Sequence, residues 1–331
     1  MPYELGKRLV IGVASSAMFD LTESDTVFRT KGEEEYRKYQ SDNIDNPLNK
    51  GVSFSFVKRL LSLNDLSKNP ESDPLVEVVL LSRNDPDTGL RVMKSIKHHG
   101  LPISRAIFMQ GKSPYKYIPA LSISLFLSGN SSDVKEAIRL GYPAGHVISS
   151  TLIDEDDFDL RIAFDFDGVL ADDESETVMH NTNDLKQFHE HETEKVLQPH
   201  NPGPLKEFLV KISDIQKIEE QKKQSEPEYQ NRLRVSIVTA RNAPSHERAL
   251  NTLKAWGVTT NDAFFLGGVD KGLILGVLKP HIFFDDQSGH LNSTSSVAPS
   301  VHIPFGVKNT EAIVEGKISQ TPPEGQQAVE S

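Results

Sequence analysis

Two aspartates one residue apart, Asp165 and Asp167, close an apolar run and precede a glycine in Phe164-Asp165-Phe166-Asp167-Gly168-Val169-Leu170. Leu160 to Phe164 reads as a buried strand, and Gly168 permits a sharp turn straight after it. Where a strand ends, the backbone and side-chain oxygens of such a pair can converge on one hard cation. A carboxylate beside bound Mg²⁺ can attack phosphorus, and a second carboxylate can protonate the leaving oxygen. The plain alternative is an Asp-Gly turn that only closes a strand.

Three further segments place chemistry at strand ends. Val-Ser-Ile-Val at 235–238 stops at Thr239, followed by Ala240-Arg241-Asn242, and a hydroxyl there suits a phosphate oxygen. Gly267-Gly268-Val269-Asp270-Lys271-Gly272 is a glycine-flanked loop carrying a lysine, and His281-Ile282-Phe283-Phe284 runs into Asp285-Asp286. Open α/β sheets bind ligands at the carboxyl ends of their strands, so all four segments can meet at one site. Taken singly, a strand-end threonine or a loop lysine is usually structural or solvated; the specific signal is the ordered set.

In that order the residues resemble the motifs of the haloacid dehalogenase-like phosphatases: Asp165 and Asp167 the first, Thr239 the second, Lys271 the third, Asp285/Asp286 the fourth. Asp172-Asp173-Glu174-Ser175-Glu176, Phe188-His189-Glu190-His191-Glu192, Asn201-Pro202-Gly203-Pro204-Leu205 and Ile282-Phe283-Phe284-Asp285-Asp286-Gln287 are similar to the cytosolic 5′-nucleotidase type I family. So are Ala14-Ser15-Ser16-Ala17-Met18-Phe19-Asp20 and Tyr142-Pro143-Ala144, and the likeness runs over roughly residues 5–308. The resemblance implies an α/β fold with a Rossmann-like core and a small helical cap. It also implies Mg²⁺-dependent hydrolysis of nucleoside 5′-monophosphates through an aspartyl-phosphate. Asp165 would be the nucleophile and Asp167 the acid and base; Thr239 and Lys271 would hold the transferring oxygens, with Arg241 and Asn242 beside them in the substrate site. Asp165, the Asp167 carbonyl and Asp285 would bind the metal, with Asp286 a second or outer ligand; the choice between the last two stays open. Lys279 rivals Lys271, but it sits just before Pro280 and nearer the last strand. Two other readings stay open: a superfamily relative acting on a sugar phosphate or a nucleoside acceptor, and a non-catalytic nucleotide sensor.

Between the first two motifs, about 172–232, the chain is polar and mostly helical in pattern, broken at Pro202-Gly203-Pro204. Leu205, Phe208, Leu209, Ile212 and Ile215 recur at amphipathic-helix spacing. The resemblance makes this insertion a cap that excludes water, with Glu174, Ser175, Glu176, Phe188 and Glu190 as candidate nucleoside contacts. Phe188 could stack on a base, although an aromatic at a helical position is more often core. His189-Glu190-His191-Glu192 reads as a solvated helix face, because histidines at i and i+2 diverge on a helix.

The first half of the chain reads as a faded copy of the second. Ser82 and Thr239, and likewise Ser128 and Asp285, differ by the same 157 positions, and the run 9–13 matches 160–164. Under this alignment Ala14 and Ser16 stand opposite Asp165 and Asp167, so the first copy lacks the charge a divalent cation needs. The expected organisation is therefore a degenerate α/β half over 1–150, structural or regulatory. A catalytic half over 151–308 and a disordered tail over 309–331 follow. A nucleotide effector on the first half is the sharper alternative to a packing role.

Composition narrows the rest. The 331 residues are 37% hydrophobic and 25% charged, as in ordinary globular proteins. With no cysteine, disulfides, thiolate metal sites and cysteine nucleophiles are excluded. The net charge of −11 argues against general nucleic-acid binding but not against a small phosphorylated ligand. No run approaches the ~20 apolar residues of a membrane span, and the start lacks a signal-peptide pattern. The expectation is a cytosolic enzyme with no nucleic-acid or membrane partner, and a homo-oligomer is left open.

Overall fold

The computed structural model describes residues 3–150 and 157–309. Apolar runs bounded by turn residues form a single ten-stranded sheet, β1 (Leu9–Val13), β2 (Val76–Ser82), β3 (Arg105–Phe108), β4 (Leu125–Ser128), β5 (Ala144–Val147), β6 (Leu160–Phe164), β7 (Leu233–Thr239), β8 (Asp262–Phe265), β9 (Ile282–Asp285) and β10 (Ser300–His302). Its order is β3-β2-β1-β4-β5-β10-β9-β6-β7-β8. Every neighbouring pair is parallel except β5 and β10.

That order repeats: the first five strands run 3-2-1-4-5, and the last five run 8-7-6-9-10 in mirrored sequence toward the antiparallel seam. Because the seam is antiparallel, the carboxyl ends of the two sets of strands lie on opposite edges of the sheet. Strands β1, β2, β4 and β9 are buried along their whole length, and β6 and β7 are buried except at Arg161 and Arg234, which is why they read as largely apolar runs rather than alternating ones.

Helices cover the sheet: α1 (Ser15–Met18), α2 (Thr22–Asp42), α3 (Phe54–Ser62), α4 (Pro86–His98) and α5 (Ser131–Arg139) in the first half. The second half carries α6 (Glu174–Thr182), α7 (Leu185–Glu194), α8 (Lys206–Ser225), α9 (His246–Ala255), α10 (Lys271–Leu278) and α11 (Ser288–Thr294). One apolar cluster runs through both halves and includes Val10, Phe56, Leu80, Phe126, Phe164, Phe208 and Phe284.

The stretch expected as a cap, about 172–232, divides. In α8 the stripe Phe208, Leu209, Ile212 and Ile215 is buried in the main core, with Phe208 ring centroids 5.9 Å from Phe164 and 6.0 Å from Phe284. This helix therefore covers the sheet, because its apolar face finds the aromatic strand residues. Only α6 and α7 are left to form a cap. Of the tail expected over 309–331, the described residues include Asn309 alone, whose amide donates to the Asp286 carbonyl at 3.0 Å; the remainder lies outside them. Among the described residues no helix is long and apolar enough to cross a membrane.

Candidate active site

The turn after β6 makes the site. Gly168 has a φ of +69°, and a Cβ there would fall 2.7 Å from Asp286 Cγ, so only glycine fits this turn against the β9 end. The turn carries Asp165 and Asp167 past the end of β6; β7 delivers Thr239, the start of α10 Lys271, and the end of β9 Asp285 and Asp286. All six are nine-tenths or more buried.

Lys271 Nζ donates to Asp165 Oδ2 at 2.6 Å and to Asp285 Oδ2 at 2.7 Å. The lysine is buried yet held charged, its pKa raised because the two carboxylates outweigh the burial that would neutralise it. Burial pushes the Asp165 carboxyl up to about 6, against the pull of Lys271. Asp285 is also buried, but Lys271 and the neighbouring His290 Nδ1 at 3.1 Å hold it down at about 2. The backbone N–H of Gln287 adds a bond to Asp285 Oδ1 at 2.8 Å.

Asp286 differs from its neighbour. Its side chain is fully buried and neither oxygen has a hydrogen-bond donor. Burial and then the nearby carboxylate of Glu176 push its pKa well up. Unsatisfied buried oxygens of this kind are rare in folded proteins and mark a place where a cation or other partner is expected. Asp165, Asp285 and His290 also bring one ligand atom each within 4.8 Å of one another.

Arg241 covers the other aspartate. Its Nε and Nη2 donate to the two oxygens of Asp167 at 2.7 and 2.6 Å, a bidentate fork. Nη1 of the same guanidinium bonds Glu192 on α7 and donates to the Ser245 carbonyl at 3.1 Å. Glu192, wholly buried, also accepts from Arg248 at 2.9 Å and from Ser175 Oγ at 2.8 Å. Despite burial its pKa is lowered, because His200 and Arg241 favour the carboxylate. Helices α6 and α7 are thus fastened beside the acidic cluster by one buried glutamate between two arginines.

The comparisons with known proteins decide the family. The 5′-nucleotidase family profile matches residues 1–310. The chain belongs to this family. It is 34% identical over 311 residues to Cytosolic 5′-nucleotidase 1B of Homo sapiens, covering 91% of this chain and 49% of that protein. The chain therefore spans about half the length of the curated relative it matches. Among solved structures, histidinol dehydrogenase from Elizabethkingia anophelis aligns at 8% identity with a TM-score of 0.21, covering 89% of this chain and 52% of that one. A score that low carries no argument about fold.

Set within this family, the residues singled out from the sequence fall into two groups. Asp165, Asp167, Thr239, Lys271, Asp285 and Asp286 come together at one edge of the second half. The rival Lys279 does not: it closes α10 at the opposite end, where its carbonyl accepts from Arg161 at 2.9 Å. Arg241 is present but spent on Asp167 and Glu192. Glu174 is engaged by Lys195 and Arg248, which hold its carboxyl at about 2 against partial burial. Phe188 is buried with the Arg241 guanidinium 5.5 Å over its ring, so one face is already covered. Asn242 packs against Gly267.

The solvated-face reading of His189-Glu190-His191-Glu192 is corrected for Glu192, which two arginines from α9 and the β7 turn bury. Arg248, His200, His290 and Gln287 were missed. Only the spacing of His290 after Asp285, which puts it on the first turn of α11 facing back to the strand end, offered a sequence signal for any of them.

Proposed function

We infer that the chain is a metal-dependent 5′-nucleotidase that releases phosphate from nucleoside 5′-monophosphates through an aspartyl-phosphate. The observation that carries this reading is the buried, donorless carboxylate of Asp286, one residue from the Asp285–Lys271–Asp165 bridge. Family membership and the name of the human relative support the substrate class. The wrapped turn of a haloacid dehalogenase-type core is the scaffold that best accommodates these residues.

The donor set is all oxygen and acidic, which suits Mg²⁺. Asp165, the Asp167 backbone carbonyl and Asp286 would hold it: both Asp286 oxygens lack a donor, and Asp165, which accepts from Lys271 and the Phe166 N–H, would exchange its lysine bond for the cation while Asp285 keeps Lys271, His290 and a backbone N–H. When bound, the cation acts as a Lewis acid on a phosphate oxygen. Asp165 attacks phosphorus and the bond from phosphorus to the ribose oxygen breaks. Asp167 gives the departing oxygen its proton. Asp167 then takes a proton from water, which attacks the same phosphorus, freeing phosphate and restoring Asp165. Lys271 and the Thr239 hydroxyl balance the charge on the transferring oxygens. The Arg241 fork holds both Asp167 oxygens, so proton transfer requires it to leave one of them, and the buried site requires α6 and α7 to lift for substrate entry.

The first half, by the same reasoning, is a copy of the second that has lost its chemistry. The repeated strand order and the constant spacing of β2, β3 and β4 from β7, β8 and β9 support that reading.

The test is phosphate release from nucleoside monophosphates and sugar phosphates, with Mg²⁺ and with EDTA. Mg²⁺-dependent release from nucleotides is expected. Release from sugar phosphates alone would replace the substrate class, and EDTA-resistant turnover would remove the metal.

A further inference from the structure

Five carboxylates meet at the β6 and β9 ends, and their cations are unevenly shared. Lys271 serves Asp165 and Asp285, Arg241 serves Asp167, and His290 adds to Asp285. Asp286 and Glu176 are left with no cation in contact. Glu176 belongs to the first turn of α6, so the fifth carboxylate comes from the cap rather than from the sheet.

Its two oxygens have different surroundings. Oε1 accepts from Gln287 Nε2 at 2.7 Å, which ties α6 to the turn after β9. Oε2 is buried with no donor, as are both oxygens of Asp286. Lys308 acts on Glu176 through space. Three buried carboxylate oxygens without a donor, Oε2 of Glu176 and both of Asp286, brought together from α6 and the end of β9, are the environment a divalent cation relieves.

We propose that Glu176 belongs to the coordination shell of the same metal site, directly or through a bound water, so that cation binding draws the cap helix α6 onto the core. The inference rests on the metal-dependent reading above and adds a ligand from the cap to a site otherwise built from strand ends. It gives the closed cap a physical cause: with the cation present, Glu176 and Asp286 share one positive charge centre across the boundary between α6 and the core. Outer ligands of this kind tune metal affinity by ~10–100-fold.

The experiment uses the full chain and two readouts that need no turnover. Binding of Mn²⁺ is counted by electron paramagnetic resonance, and hydrogen exchange of the α6 amides is followed with and without Mg²⁺. Wild type is expected to bind Mn²⁺ and to slow α6 exchange when Mg²⁺ is added. In Glu176→Gln, Mn²⁺ affinity should fall about tenfold and the Mg²⁺-dependent slowing should vanish. Asp286→Asn should lose binding further. The glutamine amide can still accept from Gln287 and can donate to Asp286, so the variant should fold at least as stably as metal-free wild type. Equal affinity and equal α6 protection in Glu176→Gln would overturn the inference while leaving the metal-dependent enzyme standing. Absence of Mn²⁺ binding in wild type would overturn both. If the variant failed to fold, unchanged α6 exchange on adding Mg²⁺ to wild type would be enough to reject it.

Discussion

The two halves share a strand order and even their turns, yet they end their strands in opposite electrostatic states. In the first half the turn after β2 is closed by the Asn84 N–H donating to Ser82 Oγ at 3.1 Å. In the second, the Arg241 N–H approaches Thr239 Oγ1 at 3.4 Å in the same place. The turn after β4 is closed by Asn130 N–H to Ser128 Oγ at 3.0 Å, and that after β9 by Gln287 N–H to Asp285 Oδ1 at 2.8 Å. The first half fills the centre with hydroxyls that satisfy each other, Ser15 and Ser82 lying 3.1 Å apart, and with the Gly129 N–H donating to Ser16 Oγ at 3.2 Å. The second half places carboxylates there and leaves Asp286 unsatisfied. A strand end needs only a short acceptor to close its turn. The charge in the second half is therefore a cost the fold itself does not require, and such costs concentrate where there is chemistry.

The sharpest way to break that comparison is to exchange what the two halves contribute. Asp165→Asn is expected to lower phosphate release by ~10³-fold or more while the chain still folds, since Lys271 keeps its bond to Asp285. Changes at the strand ends of the first half, Ser82→Ala opposite Thr239 and Ser128→Ala opposite Asp285, should each cost about 1 kcal/mol of stability and leave turnover within about twofold. Loss of turnover in either serine variant would show that the first half takes part in the reaction. Retained turnover in Asp165→Asn would remove the nucleophile.

The next contrast is in stability. Glu192 is wholly buried between Arg241 and Arg248, so Glu192→Ala removes the carboxylate that two buried guanidinium groups share, leaving them Asp167 and Glu174, and should cost ~3 kcal/mol in urea unfolding. The ion pair at the corresponding edge of the first half joins Asp133 to an Arg83 that is 40% exposed, and Asp133→Asn should cost only about 1 kcal/mol. Equal losses would mean that the cap latch is no more than another surface pair. If the latch also gates entry, the milder Glu192→Gln should shift KM and kcat together, which steady-state kinetics on a nucleoside monophosphate would register.

How much of this was legible depended on how local each signal was. Asp165, Asp167, Thr239, Lys271, Asp285 and Asp286 each sit within a few residues of an apolar run, and α/β sheets gather strand ends, so their convergence could be read from sequence. The repeat could be read because β2 to β4 and β7 to β9 keep one spacing. The partition of residues 172–232 could not. The Phe208 to Ile215 stripe announces a buried face but not whether a sheet or a substrate lies beneath it. Glu192 reads as solvated in the sequence because the histidines at i and i+2 beside it diverge on a helix. Its partners Arg241 and Arg248 are 49 and 56 residues away, and only tertiary contact turns a polar position into a buried one. Glu176 was noticed as a nucleoside contact; its place beside Asp286 depends on the same kind of long-range approach.

The smallest expected effect lies at the seam, where among the described residues the two halves meet as strands. His146 of β5 and His302 of β10 are partners in the antiparallel register. Burial lowers both pKa values, and each histidine also feels Lys135; for His146 the charge of His302 adds to the effect. Backbone bonds to Gly129 and Asp286 oppose the shift without cancelling it. Above the ordinary histidine pKa of ~6.5 both rings are neutral in the folded and unfolded chains, and the seam loses nothing. As pH falls below that value the unfolded chain takes up protons that the folded seam resists. Stability must therefore drop, by at most ~1.4 kcal/mol per pH unit for each histidine, until the folded pKa values are reached. Urea midpoints between pH 8 and 5.5 will also carry contributions from the acidic cluster, so the informative quantity is the difference between wild type and His146→Asn. That difference should shrink or reverse as pH falls, because the variant lacks one of the two rings that acid would charge. A pH-independent difference would mean that the seam tolerates both charges, and that the halves are held together by the apolar core running beneath it rather than by the register of β5 and β10.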